Sequence, residues 1–169
     1  MEQEFALFRR PRTESDVVPK SLLPPSLAGK IGLDLSTSHL ARRYKRNPVY
    51  VVRSKALVCT YSRSYEVGNC WPTSTVVHGL ASATSICGLG TKPGQIVTYG
   101  IAPDGVTSVT VPRRGSSKTV PVLHNIYFVP GSVRPPLPLH LILHRNGRPV
   151  VRPTGIPPDL AKRGCGRPR

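Results

Sequence analysis

The sequence predicts a mainly β (α+β) fold: an antiparallel β meander with one or two short helices, an extended N-terminal arm and a basic, proline-rich C-terminal tail. Three observations carry this. Short β-branched and aromatic runs recur from Pro48 to Val129, each bounded by turn residues. Glycine and proline number 15 and 19 of 169 residues, too many for a helical bundle and without the strict period of a collagen. Charge almost vanishes from the middle, where residues 64–112 hold only Lys92, Glu66 and Asp104, as the buried heart of a fold would.

In chain order, residues 1–33 read as an extended basic arm with room for one helical turn. Leu22-Leu23-Pro24-Pro25 prolongs its irregularity, because the residue before each proline is pushed out of the helical region. A helix is expected next. Ser36 or Thr37 caps it, Leu40-Ala41-Arg42-Arg43-Tyr44 continues it with basic residues in the last turn, and Asn47-Pro48 stops it. Val49-Tyr50-Val51-Val52 and Ala56-Leu57-Val58-Cys59-Thr60-Tyr61 then form a hairpin about Arg53-Ser54-Lys55. Residues 72–79 suit a short helix with Pro72 in its first turn and Gly79 at its end, although their Thr and Val fit a strand as well.

Residues 95–101 and 106–111 are strands joined through Ala102-Pro103-Asp104-Gly105. Pro103 presets φ and Gly105 tolerates positive φ, so this is expected to be a hairpin turn that sets sheet register, with Asp104 bonding local backbone donors. Residues 113–118 make a polar tip, after which Thr119-Val120-Pro121-Val122 and Asn125-Ile126-Tyr127-Phe128-Val129 return. Past Val129 the prolines mark a linker, and then His140-Leu141-Ile142-Leu143-His144 begins a last hairpin. Asn146-Gly147 suits its type I′ turn, and Pro149, lacking a ladder donor, puts one arm at a sheet edge. The expected organisation is therefore an arm (1–33), a β-rich domain (34–129) and a partly disordered Pro/Arg-rich extension (130–169). No repeat of solenoid period is present.

The formal net charge is +16. Residues 1–63 carry 12 Lys/Arg against 5 Asp/Glu, and residues 113–169 carry 11 against one. Such a surface favours anions, whether nucleic acid, anionic lipid or another acidic surface. No run of about 18 apolar residues exists, so no transmembrane segment is expected in this chain. The opening residues 1–10 lack the apolar stretch of a signal peptide.

Residues able to carry chemistry are sparse. Cys59, Cys70, Cys87 and Cys165 contain no Cys-x-x-Cys, which removes the main support for a zinc ribbon or a thioredoxin site. Cys59 and Cys70 lie in adjacent elements: in an oxidising compartment they could bridge, and in a reducing one they would be small buried hydrophobes. His140 and His144 share one side of a strand and read as edge-strand histidines rather than metal ligands. Five of the eight carboxylates precede residue 35, and a triple such as Ser108, His124 and Asp104 lacks the Gly-x-Ser-x-Gly elbow. No catalytic residues, no metal and no cofactor are assigned, and the expectation is a protein that is not an enzyme.

The tail holds the nucleic-acid candidates Lys162, Arg163, Arg167 and Arg169. Gly166-Arg167-Pro168 resembles the core of an AT-hook, which lies in the narrow minor groove, although Cys165 stands where the hook has arginine. No cluster of aromatics accompanies it as a base-stacking platform.

In the order of its segments the chain resembles a family of proteins from high-GC Gram-positive bacteria, usually secreted or membrane-anchored and without an established activity. The matching pieces run from Phe5-Ala6-Leu7-Phe8-Arg9-Arg10-Pro11 with Asp16, through Leu40-Ala41-Arg42-Arg43, Val49-Tyr50-Val51-Val52, Cys59 and Cys70. They continue with Gly100-Ile101-Ala102-Pro103-Asp104-Gly105-Val106 and end with Val122 and Asn125-Ile126-Tyr127. The resemblance implies an extracytoplasmic location and, with it, a Cys59–Cys70 bridge. The function expected from these readings is a small, non-catalytic β-rich binding or structural module. The alternative is a basic nucleic-acid-associated protein that uses its tail.

Overall fold

The computed structural model describes residues 5–19, 33–44, 47–54, 56–62, 69–78, 84–87, 96–113, 115–129 and 140–154. Eleven strands occur among them: β1 (His39–Tyr44), β2 (Asn47–Arg53), β3 (Leu57–Ser62), β4 (Asn69–Pro72), β5 (Thr84–Cys87), β6 (Ile96–Ile101), β7 (Val106–Arg113), β8 (Ser116–Leu123), β9 (Ile126–Val129), β10 (His140–Arg145) and β11 (Arg148–Pro153). Two short helices, α1 (Ala6–Arg9) and α2 (Thr73–Val77), and two 3-10 turns, Glu14–Asp16 and Leu35–Thr37, complete the set. The mainly β, antiparallel class is thus what the chain adopts.

The strands form two sheets, one ordered β1-β2-β3-β4 and the other β11-β10-β7-β8-β9-β6-β5. Strand periodicity sorts the β2 and β3 side chains onto two faces. Val49, Val51 and Val58 face inward and meet Tyr99, Ile101, Ile126 and Phe128 of the larger sheet, so the sheets enclose one core between them. Phe5, Leu7 and Phe8 of the α1 segment fill that core. Tyr50, Val52, Cys59 and Tyr61 face the other way and are covered by Val18, Leu33 and Leu35. A third cluster lines the opposite face of the larger sheet, with Val109, Val111, Val120, Tyr127, Val129, Leu141 and Leu143. Across the central core, Thr60 Oγ1 and Tyr99 OH lie 2.8 Å apart, and Asn69 Nδ2 donates to the same phenol oxygen.

Three expectations need correction. The helix expected over Leu40–Tyr44 is the edge strand β1, paired with β2 from His39↔Val51 to Tyr44↔Asn47. Leu, Ala and Arg are good helix formers, but weak propensity yields to burial of Ala41 and to backbone capture by Asp16. The loop 102–105 turns as expected, with Gly105 at φ +81°, yet it is not a hairpin. β6 pairs with β5 and β9, and β7 with β8 and β10, so the loop crosses between non-neighbours. Finally, the sheet does not stop at residue 129: β10 pairs with β7 over Ile142↔Thr110 to Arg145↔Val106, because Leu141 and Leu143 complete the third cluster.

The N-terminal arm is docked through residues 5–18 rather than projecting, since Phe5, Leu7, Phe8 and Val18 are buried. The β2–β3, β7–β8 and β10–β11 hairpins lie where the sequence puts them. Asn146 and Gly147 both have positive φ, as a type I′ turn requires, and β11 with Pro149 is an edge strand. The short helix expected over residues 72–79 is α2, with Pro72 as its N-cap rather than in its first turn, and Gly79 lies outside the described residues. β4 and β5 were not anticipated.

Candidate functional site

Two polar knots fix the arm and shape a groove beside it. The first centres on Asp16, which is fully buried. Its carboxylate accepts from both terminal nitrogens of Arg10 (Nη1 to Oδ2, 2.8 Å), from the Thr13 N–H and hydroxyl, and from the Leu40 N–H. The Arg10 guanidinium, then the backbone donors, outweigh burial and hold this carboxyl well below the usual range. Arg10 also donates to the Leu40 carbonyl, and Arg12 to the Ser38 carbonyl, so side chains occupy the outer rim where β1 begins.

The second knot contains the turn residues Pro103, Asp104 and Gly105. Asp104 accepts from the Ala6 N–H at 2.8 Å, from Arg9 Nη2 at 2.7 Å and from Asn125 Nδ2 at 2.8 Å. Burial pushes its carboxyl up, but these donors together leave it below the usual range. Asn125, itself buried at φ +63°, also donates to the Ala102 carbonyl and accepts from the Leu7 N–H. The Asn146 N–H donates to the Gly105 carbonyl at 2.8 Å. Residues 103–105 therefore join α1, the β8–β9 turn and the β10–β11 turn, contacts far from them in sequence rather than the local bonds expected. The donors to Asp104 are Ala6, Arg9 and Asn125, and neither Ser108 nor His124 is among them.

Between the knots lies an open groove of about 490 Å³. Arg10, Arg42, Arg43 and His124 line it together with Ser15, Leu40, Ala41 and Leu123. No carboxylate is among these residues. His124 projects from the β8–β9 turn at φ +51°, and Leu123 beside it is 46% exposed. The Arg42 guanidinium lies over the Phe128 ring, 5.4 Å from its centroid. The arrangement can hold an anion: guanidinium groups supply charge and directed N–H donors, and one of them is already placed by an aromatic face. Sequence reading missed Arg10, Arg42, Arg43, His124 and Asn125 as a group. The one signal for any of them was Leu123-His124-Asn125-Ile126, a two-residue link between strand runs in which Asn tolerates positive φ.

The other expected sites fall out as follows. Cys59 and Cys70 are direct cross-strand partners in β3 and β4 and form a disulfide, S–S 2.05 Å. His144 Nε2 lies 2.8 Å from Thr110 Oγ1, which in turn lies 2.7 Å from Thr119 Oγ1, while His140 is exposed on the same strand. Among the described residues no three His, Cys, Asp or Glu side chains converge in a way that would hold a metal ion, and no helix is long and apolar enough to cross a membrane. Lys162, Arg163, Arg167 and Arg169 lie outside the described residues.

Fold and groove together define a two-sheet antiparallel β protein with a basic surface cleft. Comparison with protein families, with curated proteins and with solved structures finds no match to this chain.

Proposed function

We propose that the chain is a non-catalytic β-rich binding module whose partner is anionic and is met at the groove over β1. One observation carries this: four cationic or protonatable side chains from three elements line one groove whose lining includes no carboxylate. Of the carboxylates around it, Asp16 and Asp104 are engaged by Arg10 and Arg9, and Glu14, next in sequence to the lining residue Ser15, is exposed. An extracytoplasmic location belongs to the same reading, because disulfides such as Cys59–Cys70 persist in oxidising compartments.

The second reading keeps the anion but moves it to the tail, where Gly166-Arg167-Pro168 and the flanking basic residues would contact nucleic acid. Titration with duplex DNA and with heparin at ~50 and ~200 mM salt tests both, since phosphate-driven binding falls steeply over that range. Two full-length variants separate them. Loss on Arg42→Gln/Arg43→Gln supports the groove, and loss on neutralising Lys162, Arg163, Arg167 and Arg169 supports the tail. Binding of neither polyanion by the unaltered chain overturns both. Truncation at Val129 would be uninformative, because it strips β10 and β11 from the larger sheet.

A further inference from the structure

We propose that the groove is a phosphoryl-binding site in which Arg42 is the principal ligand-contacting residue, with Arg43 and His124 completing the grip. The proposal rests on the anion-binding reading above and gives it a ligand class.

β1 is irregular. The register with β2 shifts between Leu40, opposite Tyr50, and Arg42, opposite Val49. Tyr50 belongs to the outer cluster and Val49 to the core between the sheets. Without the extra residue, position 42 would share the face of Leu40. The bulge at Ala41 instead puts Arg42 on the inner face, over Phe128. Bulges interrupt a ladder, and they recur where a side chain has to be re-aimed.

Arg42 is also preorganised. A guanidinium held over an aromatic ring, 5.4 Å from its centroid, has lost rotamer freedom before any ligand arrives. Lysine would keep the charge and lose both the stacking and the planar fork.

An acidic peptide could bind an edge strand by extending the sheet, but the Leu40 N–H is taken by Asp16 and its carbonyl by Arg10. At Leu40 recognition therefore passes through side chains, which favours a discrete anionic group. At about 490 Å³ the groove is on the scale of small-molecule sites. Its cations come from β1 on one side and the β8–β9 turn on the other. A tetrahedral phosphoryl group presents oxygens in several directions and can meet both, whereas a carboxylate offers two oxygens in one plane.

The test follows backbone amide shifts of the full chain by NMR during titration with inorganic phosphate and, at matched ionic strength, acetate. Saturable shifts confined to residues 40–43 and 123–125, larger for phosphate, are expected. Arg42→Lys should weaken phosphate binding about tenfold. Arg148→Lys on β11, outside the groove, should leave it unchanged, and unshifted core amides certify that both variants fold. Shifts that do not saturate, that spread over every basic surface, or that survive Arg42→Lys at full strength overturn the proposal. If heparin still binds in that case, the broader anionic reading stands without it. If heparin fails on the unaltered chain as well, both fall. Vesicles containing phosphatidic acid identify the source: displacement of phosphate by them points to a lipid headgroup, and failure to displace it points to a free phosphorylated ligand. Either outcome supports the site.

Discussion

Asp16 and Asp104 do the same job in different surroundings. Each is a carboxylate that ties the N-terminal segment to the sheets, and each pairs with an arginine of the Arg9-Arg10 doublet. Asp16 is wholly buried and gathers donors from Arg10, Thr13 and Leu40. Asp104 is 28% exposed, its partner Arg9 47% exposed, and water competes for both. The contrast shows that an ion pair acquires structural weight through what else the carboxylate must satisfy: Asp16 also binds the Thr13 and Leu40 N–H groups from a buried position, while the Arg9 contact lies at the surface.

The strongest way to break this contrast is Asp16→Ala. It strands the Thr13 and Leu40 N–H groups and leaves Arg10 beside an empty site, and a loss of about 3 kcal/mol is expected from urea unfolding. Gly105→Ala comes next, at about 2 kcal/mol: a Cβ there would sit 2.6 Å from Asn146 Oδ1, and the residue is held at φ +81°. Asp104→Ala should cost about 1.5 kcal/mol, mainly through Asn125 and the Ala6 N–H. Arg9→Ala, which removes the exposed pair with Asp104, should cost about 0.5 kcal/mol or less. If Arg9→Ala proved as damaging as Asp16→Ala, burial would not be the deciding variable.

Acid sharpens the same comparison. Both carboxyls titrate lower in the folded state than in the unfolded chain. Each therefore contributes stability that is complete above the unfolded value of about 4 and lost as pH falls through the folded one. Asp16 is the more depressed, so its share persists to lower pH. Urea midpoints measured from pH 6 to pH 2 should fall below about pH 4, and Asp16→Asn should flatten that fall more than Asp104→Asn.

What the sequence discloses here follows the range of the forces. The β2–β3 hairpin, the Asn146-Gly147 turn and the edge position of Pro149 depend on neighbours within a few residues, and all are present. β1 reads as a helix in sequence because Leu40-Ala41-Arg42-Arg43 are good helix formers; its ladder with β2, the burial of Ala41 and the hold of Asp16, 24 residues upstream, on the Leu40 N–H override that propensity. Residues 103–105 were legible as a turn and not as a crossover, since a turn is local and the placing of β8 and β9 between its flanking strands is not. The groove was legible only as an excess of positive charge. Its composition depends on a bulge, on the β8–β9 turn and on a docked arm meeting at one place.

The two prolines of β11 reach beyond their own hairpin. Arg145 and Arg148 close a two-residue turn, so alternate residues Arg148, Val150 and Arg152 turn their backbone toward β10, and Pro149, Val151 and Pro153 turn theirs outward. Of those three outward positions two have no N–H, leaving Val151, 59% exposed, as the single donor along that rim. A strand arriving there from another molecule would find carbonyls to bond and almost nothing to bond it in return. On this side the sheet is terminated by chemistry rather than by cover, which protects a strand-rich chain against edge-to-edge stacking into fibrils.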